Sequence, residues 1–176
     1  VDNKFRAGAV YVNNINADDK DYLKPDVDPN KAMLGIRAVK STNDATCRTV
    51  ATVRGHVVIN DEASGTDTGP TPMENVLASL LGCDSVIINM VAKTMDFKYS
   101  GVDMEADGEV DRRGSRGVVG IRPHFNWVKL KITLKTNESA ARIEKLKKNV
   151  KLRCPVMNLL KDANVKVDDE WVIVPE

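Results

Sequence analysis

The sequence predicts an α+β domain with mostly antiparallel sheet, and three observations carry that expectation. The elements run as strands, one long helix, strands, helices and a last strand, a segregated order rather than strict β–α alternation. The stretch Thr71–Met95 has helical period but is apolar on two faces: Val76, Leu80, Ile87 and Val91 form one, and Leu77, Leu81, Ile88 and Met95 another. A helix apolar on so many sides must be covered on most of them, so it is expected buried inside a core or a subunit interface. The flanking segments alternate apolar and polar residues with period two, as half-buried strands do.

Composition sets the outer limits. A chain of 176 residues is long enough for one domain with a real core. Its 26 basic and 25 acidic side chains leave a formal net charge of +1, so there is no electrostatic footprint for nucleic acid or an anionic membrane. The long helix is interrupted by Asp84, Asn89 and Lys93, which argues against a membrane span. Three cysteines are an odd number, against a fully paired secreted framework. With no CxxC, no HxxxH and two histidines, no zinc site is expected and no cofactor is implied. A reducing, cytoplasmic compartment with one or two working thiols fits best. The first residue, Val1, fits either a trimmed start or a removed leader, and both readings stand.

Along the chain, residues 1–30 read as an amino-terminal arm and residues 31–176 as the domain. Gly8 to Val12 fits a short strand, while Asn13–Asp19 and Lys24–Asn30 are loop-forming. The arm lies over the surface or over a partner subunit, or else is a partly disordered tail. Ala32–Val39 and Arg48–Ile59, rich in Val, Ile and Thr, are expected to pair as an antiparallel hairpin across Ser41–Ala45. The polar loop Asp61–Pro70 then delivers the chain to the helix, where Thr71 is a cap, Pro72 suits the first position and Glu74 sits in the first turn. Lys98–Val110 and Trp127–Lys135 are strands, separated by the basic loop Asp111–Gly117. Glu138–Val150 is a helix facing inward with Ala141, Ile143, Leu146 and Val150, which Pro155 stops or kinks. Val156–Leu160 gives a further short helix and Val165–Val174 the last strand.

The chemistry centres on Cys83, mid-helix, and Cys154, which begins Cys154-Pro155-Val156. Together with Gly69-Pro70-Thr71-Pro72-Met73-Glu74 and Leu77-Ala78-Ser79-Leu80-Leu81-Gly82-Cys83, these residues resemble the OsmC/Ohr family of thiol-dependent hydroperoxide reductases. The resemblance covers roughly Lys31 to Glu176. It implies an OsmC-like fold, an intertwined homodimer with the long helices packed between sheets, and reduction of small organic hydroperoxides. Cys83 would be the attacking thiolate and Cys154 the resolving thiol, with an external dithiol, such as a lipoyl protein or a small thiol, as reductant.

Only a thiolate attacks, and Cys83 lies about three turns into its helix, where the dipole has faded. The resemblance implies a cation from the early hairpin loop, held by a helix-start carboxylate. Arg48 is the best positional match, with Arg54 and Arg37 behind it; taken alone, each is an ordinary surface arginine. Met73 stands where the peroxidase branch has its arginine-binding glutamate, and Glu74 is turned about 100° further round the helix. Pro-Met-Glu-Asn is nearer the OsmC-like branch, so Glu74 is either a structural helix-start carboxylate or an arginine ligand.

Cys47 reads as a second resolving thiol or an incidental strand-end cysteine. Asp84 is expected to point away from Cys83, since adjacent helix residues diverge. His56 and His124 read as ordinary hydrogen-bonded histidines. The Arg112, Arg113, Arg116 cluster is a solvated loop or a recognition point for an acidic group. Two further functions remain open: a non-catalytic protein using an apolar dimer-interface pocket for a small hydrophobic ligand, and a redox sensor.

Overall fold

The computed structural model describes residues 16–176. The short strand expected at Gly8–Val12 lies outside them. Two three-stranded sheets and four helices make up the rest. The first sheet holds β1 (Lys40–Asn43), β2 (Thr49–Val53) and β3 (His56–Asn60), all antiparallel. Helix α1 (Pro72–Met95) follows, then β4 (Gly101–Val110), the single turn α2 (Arg112–Ser115), β5 (Phe125–Lys135), α3 (Ala140–Arg153), α4 (Pro155–Asp162) and β6 (Lys166–Val174).

Helix α1 begins where its sequence allows. Thr71 accepts the Glu74 backbone N–H, and the Glu74 carboxylate accepts the Thr71 N–H at 2.7 Å, so the two residues form a closed capping box with Pro72 at the first position. At the other end Asp96 takes a left-handed conformation (φ 48°). The Arg142 guanidinium then donates to the carbonyls of Met95 and Asp96 while pairing with Glu138, which pins the end of α1 to the start of α3.

Strand β5 shows why the second sheet forms. Val128, Leu130, Ile132 and Leu134 are buried while Lys129, Lys131 and Lys135 face out. Its inner face, with α1, α3 and α4, encloses two apolar clusters. One gathers Ile88, Val91, Phe97, Ile132, Leu134, Leu146 and Val150. The other gathers Leu80, Phe125, Val128, Leu130, Cys154 and Met157. By length and composition alone α1 is apolar enough to cross a membrane, with a mean hydropathy of 1.6, but its buried side is part of these two clusters.

Three expectations are corrected. The last strand is parallel to β5, not antiparallel, because α3 and α4 carry the chain back so that β6 enters at the same end as β5. Arg48–Ile59 is not one strand. It folds back at Arg54 and Gly55, whose φ values of 50° and 83° are those of a two-residue hairpin turn. Ala32–Val39 stays outside the sheet, and its first strand lies at Lys40–Asn43, overlapping the expected connection. There Asn43 spends its side chain bonding Thr46 and Arg48 carbonyls across the turn. Within a single protomer the long helix is covered on one side only. Val86 and Met90 are each 58% exposed.

Of the amino-terminal arm, Asp19 to Leu23 docks on α3. Asn149, itself buried, accepts the Leu23 N–H and donates to the Asp21 carbonyl, Arg153 donates to the Leu23 carbonyl, and Lys148 pairs with Asp19. The first sheet is packed on neither the helices nor the second sheet, apart from its end, where Asn75 donates to Asn60 at 2.5 Å.

Ile88 is fully buried between the helices and β5. Ile88→Ala should therefore lower stability by about 2–5 kcal/mol, read as a shift in denaturant midpoint with unchanged slope.

Candidate functional site: a buried thiol and carboxylate cluster on the central helix

Cys154 is both the last cap of α3 and the first cap of α4. The preference of residues before proline for extended backbone breaks the helix there, and Pro155 then starts the next one. The break turns the Cys154 side chain into the second apolar cluster, where it is 0% exposed and its sulfur receives the Met157 N–H at 3.4 Å. Cys83 comes from α1, partly exposed and packed on the same cluster, and its thiol meets that of Cys154. Thus the two thiols singled out in the sequence, 71 positions apart, stand together.

Asp84 joins them. It does not turn away, as expected from its position beside Cys83; it is 0% exposed and packed against the Cys154 thiol. Neighbouring helix residues diverge by about 100°, yet both act on the Cys154 thiol. Neither carboxylate oxygen has a well-formed hydrogen bond to the protein. Burial is the main force on this carboxyl and pushes its pKa up. The Cys154 thiol opposes that, the charge of Asp169 on β6 adds to it, and Lys161 on α4 works against it. Burial likewise pushes the Cys154 thiol far above the usual thiol range, Asp84 pushes it further, and the Met157 N–H pulls it down.

The remaining candidates lie elsewhere in the protomer. Arg48 Nε donates to Thr68 Oγ1 at 2.9 Å, and Thr68 Oγ1 in turn donates to Asp61. No hydrogen bond or ion pair joins Arg48 to Cys83 or to Glu74 among the described residues. The Glu74 carboxylate is engaged in the helix cap. Asp61 was missed in the sequence. It is buried and accepts from Thr66 Oγ1, the Thr68 N–H, Thr68 Oγ1 and the Glu62 N–H, which hold its pKa far below the usual carboxylate range. The loop at 61–70 is wrapped round this one side chain; an aspartate followed by a run of Ser, Thr and Gly was the available signal. Cys47 is exposed beside Gly65 of that loop. Arg54 sits in the β2–β3 turn, and Arg37 folds back on the Ile36 carbonyl.

Arg113 pairs with Asp111, while Arg112 and Arg116 line a cavity of about 850 Å³ with Met73, Val110 and Pro123. His56 is exposed, and His124 Nδ1 lies 3.2 Å from the Phe125 carbonyl. Among the described residues no group of side chains has the make-up of a metal site.

These features define an α+β protein with a pair of thiols set at the junction of its longest helix and a helix break. The family of OsmC-like proteins matches residues 65–169, and the chain belongs to the OsmC/Ohr family. Among solved structures, an OsmC-like protein from Mycoplasma pneumoniae superposes with a TM-score of 0.70 at 18% identity, over 81% of this chain and 99% of that one. An organic hydroperoxide resistance protein OsmC from Legionella pneumophila gives 0.56 at 18% identity, over 81% and 98%. The organic hydroperoxide resistance protein OhrB of Bacillus subtilis gives 0.55 at 16% identity, over 78% and 98%. Comparison with curated protein sequences gives no match.

The Asp84 carboxyl keeps its proton to higher pH in the folded protein than in the unfolded chain. Its contribution to stability is therefore complete below the ordinary carboxylate pKa and is lost as pH rises through the raised one. Asp84→Asn should leave stability nearly unchanged at acid pH and increase it towards neutrality, by about 1.4 kcal/mol per unit of upward shift. Melting temperatures of both proteins across that pH range measure the difference.

Proposed function

We propose that this protein is a homodimeric, thiol-dependent peroxidase that reduces organic hydroperoxides to alcohols. The observation that carries the proposal is the meeting of Cys83 and Cys154 in an apolar cluster, with Cys83 the more accessible of the two. The Cys83 thiolate attacks the distal peroxide oxygen, the O–O bond breaks, and the alkoxide takes a proton to leave as the alcohol. Cys83 is then a sulfenic acid. Cys154 condenses with it, expelling water and forming a disulfide, and an external dithiol such as a lipoyl protein or small thiol reduces that disulfide. Apolar neighbours (Leu80, Leu77, Ile87 and Met157) suit an organic rather than a purely polar peroxide. Legionella and Bacillus proteins of the same fold carry the name of organic hydroperoxide resistance, which supports the reading.

Arg48 is proposed as the cation that serves the Cys83 thiolate, carried on a segment fixed through Thr68 to Asp61. Glu74 is proposed to act at one remove, by fixing the helix start to which that segment leads. The proposed partner is a second copy of the chain. Helix α1 leaves Val86 and Met90 uncovered, and the β1–β3 sheet exposes Val57 without a layer packed on it. An isolated three-stranded sheet without a covered apolar face is a poor stable unit, and a second protomer supplies the cover. A second reading rests on the cavity beside Met73, which Arg112 and Arg116 make suitable for a small ligand in a protein without thiol turnover.

Dithiol-dependent consumption of cumene hydroperoxide checks the enzyme reading. Cys83→Ser should abolish turnover, whereas Cys154→Ser should accumulate a sulfenic acid that dimedone traps. No turnover by the folded, reduced wild type sinks the proposal and leaves the ligand-binding reading. The dimer is checked separately by sedimentation: Val86→Asp combined with Met90→Asp should shift the protein towards monomer.

A further inference from the structure

We propose that Asp84 is the catalytic base that activates Cys154 for disulfide formation with Cys83. The inference deepens the peroxidase reading and rests on it for the identity of the oxidised partner. Cys154 presents a chemical difficulty: a fully buried thiol gains nothing from solvent, and only its thiolate attacks sulfur. Something beside it must take the proton. Among the described residues, the groups that act on its thiol are Cys83, the Met157 N–H and Asp84; with Cys83 oxidised and under attack and the N–H a donor, Asp84 is the one left to accept a proton. Its carboxylate is fully buried with both oxygens free of other hydrogen bonds, a costly arrangement for a purely structural aspartate. Burial also moves its affinity for protons upward, towards that of a useful base.

The groups facing this carboxyl come from every surrounding element. Cys83 lies beside it on α1, Cys154 at the α3–α4 junction, Lys161 on α4 and Asp169 on β6. Asp169 is itself held by Lys151 and Trp171. In the step, the Asp84 carboxylate takes the proton from the Cys154 thiol. The Met157 N–H, already on the sulfur, steadies the thiolate that forms. The thiolate's electron pair makes the S–S bond to Cys83, and the S–O bond of the sulfenic acid breaks with its electrons leaving as hydroxide. Asp84 returns its proton to that hydroxide, which departs as water. The carboxylate ends as it began.

The test replaces hydroperoxide with an aromatic disulfide, dithiobisnitrobenzoate, in a Cys47→Ser background that removes the exposed thiol. Cys83 first forms a mixed disulfide and releases one thionitrobenzoate; attack by Cys154 then releases a second. In the parent, the second phase should speed up as pH rises through the titration of Asp84. Asp84→Asn should slow that phase about a hundredfold and move its rise to the pH at which Cys154 itself ionises. Asp84→Glu, which keeps the carboxylate, should retain the parental pH profile. Equal second-phase rates and profiles in parent and Asp84→Asn would overturn the proposal. So would a profile for Asp84→Glu that matches Asp84→Asn. Because no peroxide is used, failure of the peroxidase assay is distinguishable from failure here.

Discussion

The packing of one side of α1 against β5, α3 and α4 is the constraint on which everything else depends. Leu80, Ile88 and Val91 are completely buried there, and each apolar side chain taken out of water contributes about 1.5–3 kcal/mol. That contact fixes how α3 must end. The chain has to leave α3 and return to the same sheet, and the break at Cys154-Pro155 lets it do so while keeping α4 against α1. The thiol cluster is a product of this packing, since Cys83 and Asp84 come from the helix that is packed and Cys154 from the break that allows it.

Chemistry and stability pull against each other at that point. A carboxylate with no well-formed hydrogen bond in an apolar cluster opposes folding whenever it is charged, and its charge pushes the pKa of the adjacent thiol up. The fold tolerates it because the surrounding apolar contacts are extensive. Asp61 shows the opposite solution: it is equally buried, but four donors converge on it, so its charge organises a loop instead of straining a core. The two aspartates have the same covalent structure and opposite roles, set wholly by their neighbours.

Much of this was legible in advance. The capping box at Thr71 and Glu74, the length of α1 and the alternation in β5 are local, and local sequence carries them. Cys83 and Cys154 were legible through family resemblance and through their places in a helix and before a proline. The turn at Arg54-Gly55 was hidden because the Val- and Thr-rich composition of a strand runs up to it and resumes in Val57-Val58-Ile59, even though glycine after a polar residue is a hairpin signal. The direction of β6 was hidden because an apolar alternating strand reads the same whether its neighbour runs parallel or antiparallel. Asp84 was misjudged for a related reason: its spacing from Cys83 gives an angle on one helix, not the position of the element lying above both.

The sequence by itself determined the helix start, the two candidate thiols, the broad α+β class and the family. Each depends on residues within a few turns or on a short motif. Only the tertiary structure decided that Asp84 joins the thiols, that Asp61 builds the loop, that Arg48 is tied to Thr68 and that β6 runs parallel to β5. Those outcomes depend on contacts between segments distant in the chain, and they follow from which surfaces compete for burial against α1 rather than from the pattern within any one segment.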